Sequence, residues 1–139
     1  MNKWLMVETY HNWRVDLEND FKFLGIDIRK LKNKNLQTGD ILITYISKIK
    51  KIVDARKIID VNICKTPISY SYDRFFENSI KTQLITLLDE DKWIPYSVFS
   101  KKVELFAIAR KPGMIFLNAP VKISEYDFRY FANLMNLGE

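Results

Sequence analysis

The sequence predicts one α+β domain over residues 1–139: a curled mixed β-sheet, bent into a pseudo-barrel and flanked by short helices, with a C-terminal helix. Three observations carry this. Strand patterns dominate the middle of the chain and helical patterns its ends. "GDILITYI" opens on a Gly-Asp turn signal and is apolar on both faces, as a central strand is. Beyond the turn "SKIKK" the pattern changes to alternation, with Val53, Ala55, Ile59, Val61 and Ile63 on one face and Asp54, Arg56, Asp60 and Asn62 on the other. That second run reads as a half-exposed strand antiparallel to the first, long enough to need a bend or a bulge.

The other elements follow in order. Trp4 to Glu8 is a short apolar run, hence a first strand, and "HNWRVDLENDF" follows as a helix with Asn12 as a candidate cap. After Gly25, "GIDIRKLKNKNL" sets Ile28, Leu31 and Leu36 against a basic face, which suggests a short helix. "SYSYDRFFENS" is an aromatic loop or helical turn, and "IKTQLITLLDE" alternates weakly, as a further strand. "PYSVFSKKVELF" starts at Pro95 and looks helical, whereas "GMIFL" and "VKI" have the composition of short strands. "SEYDFRYFANLMNLGE" opens with Ser124 as a cap, repeats Phe128, Phe131, Leu134 and Met135 at helical spacing, and has Gly138 beyond its end.

Composition excludes several classes. At 47% hydrophobic and 28% charged residues the chain is globular rather than disordered. A single cysteine, Cys64, excludes an internal disulfide framework and suits a reducing compartment; in a strand-like run it reads as a buried, inert thiol. "MNKWLMVETYHNW" has no signal-peptide pattern, and no run approaches the ~20 apolar residues of a membrane span. The expectation is a cytoplasmic protein with no membrane attachment. The formal charge is +5, with positive charge gathered at Arg29, Lys30, Lys32 and Lys34, at Lys48, Lys50, Lys51, Arg56 and Lys57, and at Lys101 and Lys102. Such clusters favour a polyanion such as nucleic acid, and serve equally as a solvated surface.

Aromatics at 14% exceed what packing usually needs. Trp13, at an element boundary, is a candidate for stacking on a base as well as for the core, and Asn12 for reading a base edge. Tyr70, Tyr72, Phe75 and Phe76 either border a pocket mouth or form a satellite core, and Trp93 packs under its turn. His11, the lone histidine, reads as a surface residue with no nucleophile pattern around it. "DED" at 89–91 lacks the further oxygens a metal needs, and phosphate-loop, dinucleotide and zinc spacings are absent, so no cofactor and no metal are expected.

"KWLMV", then "NW", "FLGI", "QTGDILITYIS", a long second strand, "ISYSYD", "WIPYSVF" and "KISEYDF" occur in that order. This ordered set resembles the EVE domain, a member of the PUA-like superfamily related to YTH domains. The resemblance implies a PUA-like fold whose pocket, partly walled by aromatics, binds a modified base in DNA or RNA without catalysis. By position that pocket involves Thr9, Asn12, Trp13, Leu24, Gly25, Ile26 and Tyr45, with Arg29, Lys30, Lys48, Lys50 and Lys51 on phosphate. The sequence departs from the pattern at Leu24, where the family has Trp before Gly, and at Phe75-Phe76, which lacks the usual proline. The missing tryptophan implies a looser cage. Two alternatives stay open: an ASCH-type hydrolase of modified nucleosides using Glu8, Thr9 and a lysine, and a protein-interaction module without a small ligand.

Overall fold

The computed structural model describes residues 1–70, 72–73 and 76–137. The chain folds as β1 (Lys3–Glu8), α1 (Tyr10–Glu18), β2 (Phe23–Gly25), α2 (Ile28–Lys34), β3 (Ile41–Ile46), β4 (Lys51–Lys65) and β5 (Asn78–Leu87). A 3-10 turn at Glu90–Lys92 leads to β6 (Ile94–Pro95), α3 (Tyr96–Phe99), α4 (Glu104–Ala107), α5 (Gly113–Leu117), β7 (Val121–Ile123) and α6 (Glu125–Met135). One mixed sheet holds the seven strands of the described residues in the order β2-β5-β4-β3-β1-β7, with β6 on the end of β4. The β3–β4 hairpin pairs antiparallel, while β1 runs parallel to β3 and antiparallel to β7.

The Gly-Asp pair joins these strands. Gly39 takes a φ of 96°, a conformation glycine adopts without steric cost. It turns the chain so that the Asp40 carboxylate accepts from the amides of Asn2 and Gln37 and from the Trp4 indole, at 2.9–3.0 Å. A buried carboxylate met by three donors fixes the start of β1 beside β3.

Both faces of the sheet are covered. Leu5, Ile43, Tyr45 and Ala55 pack under Phe99, Phe106, Phe131 and Met135 from the C-terminal helices. Trp4, Met6, Leu42 and Ile58 pack under Leu31 and Leu36, while Trp13 covers Ile46. This second layer corrects the expectation for β4. Asp54 and Arg56 are fully buried beneath α1, not solvent-facing. Ile58 is buried on the same face as Asp54 and Arg56, and Ile59 is exposed on the other. The register shift between Ile58 and Asp60 then brings Val61 to the side of Ile58 and leaves Ile63 exposed. The sheet bends at such bulges but does not close into a barrel: β2 and β7 end it, and among the described residues they do not pair.

Other local outcomes have equally local causes. Thr9, not Asn12, caps α1, its hydroxyl accepting from the Asn12 amide. "GMIFL" is the helix α5 behind Pro112, and "PYSVFSKKVELF" is two short helices divided at Ser100–Val103. Ser124 caps α6 by accepting from the Asp127 amide, and α6 ends at Asn136 in a left-handed conformation. Buried Asp127 accepts from the amides of Glu104 and Leu105 at 2.9 and 3.1 Å, tying α6 to the start of α4. Cys64 is half-buried and its thiol donates to the Ser79 carbonyl. Phe75 and Gly138 lie outside the described residues. No helix among the described residues is long and apolar enough to cross a membrane.

Candidate functional site

The α1/α2 face of the sheet encloses a cavity of ≈ 280 Å³ between the end of β1, the start of α1, β2 and α2. Met6, Leu24, Ile26, Leu36, Leu42, Tyr72, Phe76 and Pro120 supply its apolar lining, and Glu8, Thr9, Asn12, Asp27, Lys30 and Ser47 its polar groups. That volume lies near the lower end of the ~300–1,000 Å³ typical of small-molecule sites.

Each wall is held by the backbone that carries it. The Thr9 hydroxyl sits at the N-terminus of α1, 3.2 Å from an Asp73 carboxylate oxygen to which it donates. Buried Asn12 accepts the Asp73 amide at 2.7 Å, so the segment leaving β4 is fastened to α1 at the cavity rim. Leu24 and Gly25 pair with Ile80 and Ser79 of β5, and the Ile26 amide donates to the Asn78 carbonyl. Gly25 matters for what it lacks: a Cβ there would stand 2.8 Å from Phe76 Cδ2. The absent side chain lets the Phe76 ring lie against β2 and face the cavity.

Beneath the Glu8 side of the cavity lies a buried charge cluster. Arg56 donates from Nε and Nη2 to both oxygens of Asp54 at 3.1 Å, and from Nη1 to Asp16 at 2.8 Å. Its guanidinium lies 4.8 Å from the Phe21 ring centre. Asp54 also accepts from the Trp13 indole at 2.9 Å and from the Thr44 hydroxyl, while Asp16 accepts from the Tyr72 hydroxyl at 3.0 Å. Glu8 Oε1 approaches Arg56 Nη2 to 2.9 Å, yet no N–H points at it; among the described residues it is the only buried side-chain N or O without a hydrogen bond. Burial pushes the Glu8 carboxyl well above its ordinary range; Arg56 opposes this, and Asp16 and Asp54 reinforce it. Burial, then the Asp16 carboxylate, likewise raises the Tyr72 hydroxyl.

The structure therefore brings five expected positions into one cavity: Thr9, Asn12, Leu24, Gly25 and Ile26. Trp13 and Tyr45 lie elsewhere. Trp13 is buried with Phe21, Ile46 and Val53, its indole committed to Asp54. Tyr45 is on the opposite face of the sheet, stacked on Phe116 at 4.2 Å, and burial pushes its hydroxyl up to about 12. Of the basic residues, Lys30 lines the cavity and donates to the Ala119 carbonyl at 2.8 Å. Arg29 is exposed, 3.7 Å from Asp27. Lys48 and Lys50 occupy left-handed positions of the β3–β4 turn, φ 67° and 61°, and Lys51 begins β4. Tyr72 and Phe76, expected either at a pocket mouth or in a satellite core, line the cavity while packing with Val15 and Tyr70, and Glu8, named only for the hydrolase alternative, joins them.

No family model matches the chain, and no curated protein does. Solved structures do. The YTH domain of Zygosaccharomyces rouxii MRB1 protein, in complex with N6-methyladenosine RNA, aligns with a TM-score of 0.67 over 99% of this chain and 86% of that one, at 7% identity. The fold is YTH-like. The Pho92 YTH domain in complex with m6A aligns at 0.63, 9% identical, covering 99% and 85% of the two chains. Rpa0253 from Rhodopseudomonas palustris aligns at 0.63, 16% identical, over 100% and 96%. At these identities the likeness is one of architecture. In this YTH-like fold the cavity lies where the first two helices meet the sheet, with Tyr72 and Phe76 as its aromatic lining.

Proposed function

We propose that the protein binds nucleic acid, DNA or RNA, and receives a modified nucleobase in this cavity without chemical conversion. The observation that carries this reading is the convergence of Thr9, Asn12 and Leu24–Ile26 with two aromatic side chains, Tyr72 and Phe76, around space for one heterocycle. Asn12, Thr9 and Ser47 supply polar groups for a base edge, and the rings supply stacking surface. Phe76, seated over Gly25, takes the walling role that Leu24 cannot fill as an aliphatic side chain. Lys30 at the cavity and Arg29, Lys48, Lys50 and Lys51 around it serve the phosphates. Two structural neighbours were solved with N6-methyladenosine RNA or m6A, which supports the same class of ligand. Membership of the EVE family belongs to this proposal and rests on the ordered segments of the sequence.

A methyl group adds only about 0.8 kcal/mol of transfer energy, so selectivity must come from the shape of the lining and from polar groups facing the unmodified edge. Fluorescence anisotropy on oligonucleotides with and without N6-methyladenosine tests the reading. Phe76→Ala should weaken binding by ~1–3 kcal/mol, the worth of one base–aromatic stack. Replacing Lys50 and Lys51 with Glu should weaken all sequences alike and flatten the dependence on salt. Salt-insensitive binding, or no oligonucleotide binding at low salt, would remove the proposal.

One observation favours a second reading, a nucleoside hydrolase: Glu8, Thr9 and Lys30 share the cavity. Incubation with modified nucleosides and mass spectrometry of the products decides between the two.

A further inference from the structure

Among the described residues the charges around Glu8 do not balance. Glu8, Asp16 and Asp54 bring three buried carboxyl groups to one guanidinium, Arg56. The neutral donors of the cluster are taken by the aspartates: Tyr72 serves Asp16, while Trp13 and Thr44 serve Asp54. Glu8 has Arg56 at 2.9 Å and a side-chain hydrogen bond with Asp16, but its Oε1 accepts no hydrogen bond. Of these three carboxyl groups it is the one that lines the cavity, together with the rings of Tyr72 and Phe76. The cation on the cavity wall, Lys30, donates to the Ala119 carbonyl and shares the wall with Asp27.

We propose that the cavity favours a heteroaromatic ring that carries positive charge, such as a base alkylated on a ring nitrogen, with Glu8 as its counter-ion and Tyr72 and Phe76 as its π-faces. This rests on the nucleobase reading and sharpens its ligand class. A cation beside a carboxyl and over aromatic rings gains from both, whereas a neutral ring gains only stacking. The groups facing Glu8 are Arg56 and Asp54 from β4, Asp16 from α1 with the Tyr72 hydroxyl on it, and Asp27 and Lys30 on the cavity wall. In the free protein this surrounding favours the protonated form of Glu8. A bound cation displaces that proton to solvent, so affinity for the cation rises with pH while affinity for a neutral ring does not.

Isothermal titration of the full chain with 1-methyladenosine, a cation at neutral pH, and with its neutral isomer N6-methyladenosine tests this directly. The cation should bind roughly ten-fold tighter or better. Titrations in two buffers of different ionisation enthalpy should show proton release with the cation alone. Glu8→Gln, checked for folding by circular dichroism, should bring the ratio between the isomers toward one, and proton release in the unmodified chain gives a second arm that needs no variant. Equal affinities, preference for the neutral isomer or absence of proton release would overturn the inference and leave the nucleobase reading standing. If neither isomer nor any modified oligonucleotide binds, both fall together.

Discussion

Replacing Arg56 with methionine keeps the unbranched stem of the side chain and removes the guanidinium that, among the described residues, is the one cation in a cluster of three carboxyl groups. The guanidinium is fully buried and contacts Asp16 at 2.8 Å, Glu8 at 2.9 Å and Asp54 at 3.1 Å. Removing one partner of a buried ion pair costs about 3–5 kcal/mol, because the charges left behind have lost both water and counter-ion. An unfolding entropy of ~2.1 cal/mol/K per residue gives about 0.3 kcal/mol/K for this length of chain, so the melting temperature should fall by roughly 10–17 °C. Circular dichroism melts and urea titrations at neutral pH measure this. The deficit should narrow as the pH falls, since protonated carboxyls need no counter-charge. Adding Glu8→Gln, Asp16→Asn and Asp54→Asn to the same chain should recover much of the loss. A melt within ~3 °C of the parent, about 1 kcal/mol, would show that the cluster takes up water or rearranges at little cost and would refute the argument.

Three further outcomes follow from single contacts. Glu8 keeps its proton to higher pH in the folded chain than at the ordinary value of 4.5, so its contribution is full below that value and is lost as pH rises through the raised one; Glu8→Gln should flatten this decline in pH-dependent melts. Gly25→Ala places a methyl 2.8 Å from Phe76 Cδ2 and should weaken base binding by displacing the ring, measured by anisotropy beside an unshifted parent. Asp127→Ala removes the acceptor of two amide hydrogen bonds at the start of α4 and should cost about 2–3 kcal/mol in urea unfolding, with Asp127→Asn costing less.

The elements that the sequence disclosed are those whose signal is local. Ser124 ahead of an apolar repeat at helical spacing marked α6, and the Gly-Asp turn ahead of an apolar run marked β3 and its hairpin with β4. Short apolar runs carried less: "GMIFL" suits a strand or a helix equally, and only its packing with Tyr96 and Phe106 makes it α5. Alternation along β4 separated two faces correctly as far as Arg56, but it could not tell solvent from a second core layer. Asp54 and Arg56 looked outward because they are charged, and they are buried because each neutralises the other beneath α1. The cavity was legible where it depends on chain order, at Thr9, Asn12 and Leu24–Ile26. Trp13 looked like a stacking platform from its place at an element boundary, but the direction in which α1 presents it is a tertiary matter. The aromatic group with Tyr72 and Phe76 was legible as a pocket border or a small core, and Glu8 as one acid of a candidate set, but that they meet at one cavity depends on the sheet having formed.

The strand that carries Glu8 to the cavity has its two neighbours far apart in the chain. β1 pairs with β3 on one side and β7 on the other, and Lys3 lies 2.9 Å from Glu125, 122 positions later. At ~5–20 residues per second, synthesis needs roughly 6–24 s to cross that interval. Through that time β1 has one open edge, even if β3 and β4 have already closed the other. A nascent chain stalled before Val121 would thus present an apolar strand, "WLM", with its amides and carbonyls unpaired to any chaperone or neighbouring ribosome product. Completion of the sheet in this sense waits on the synthesis of β7.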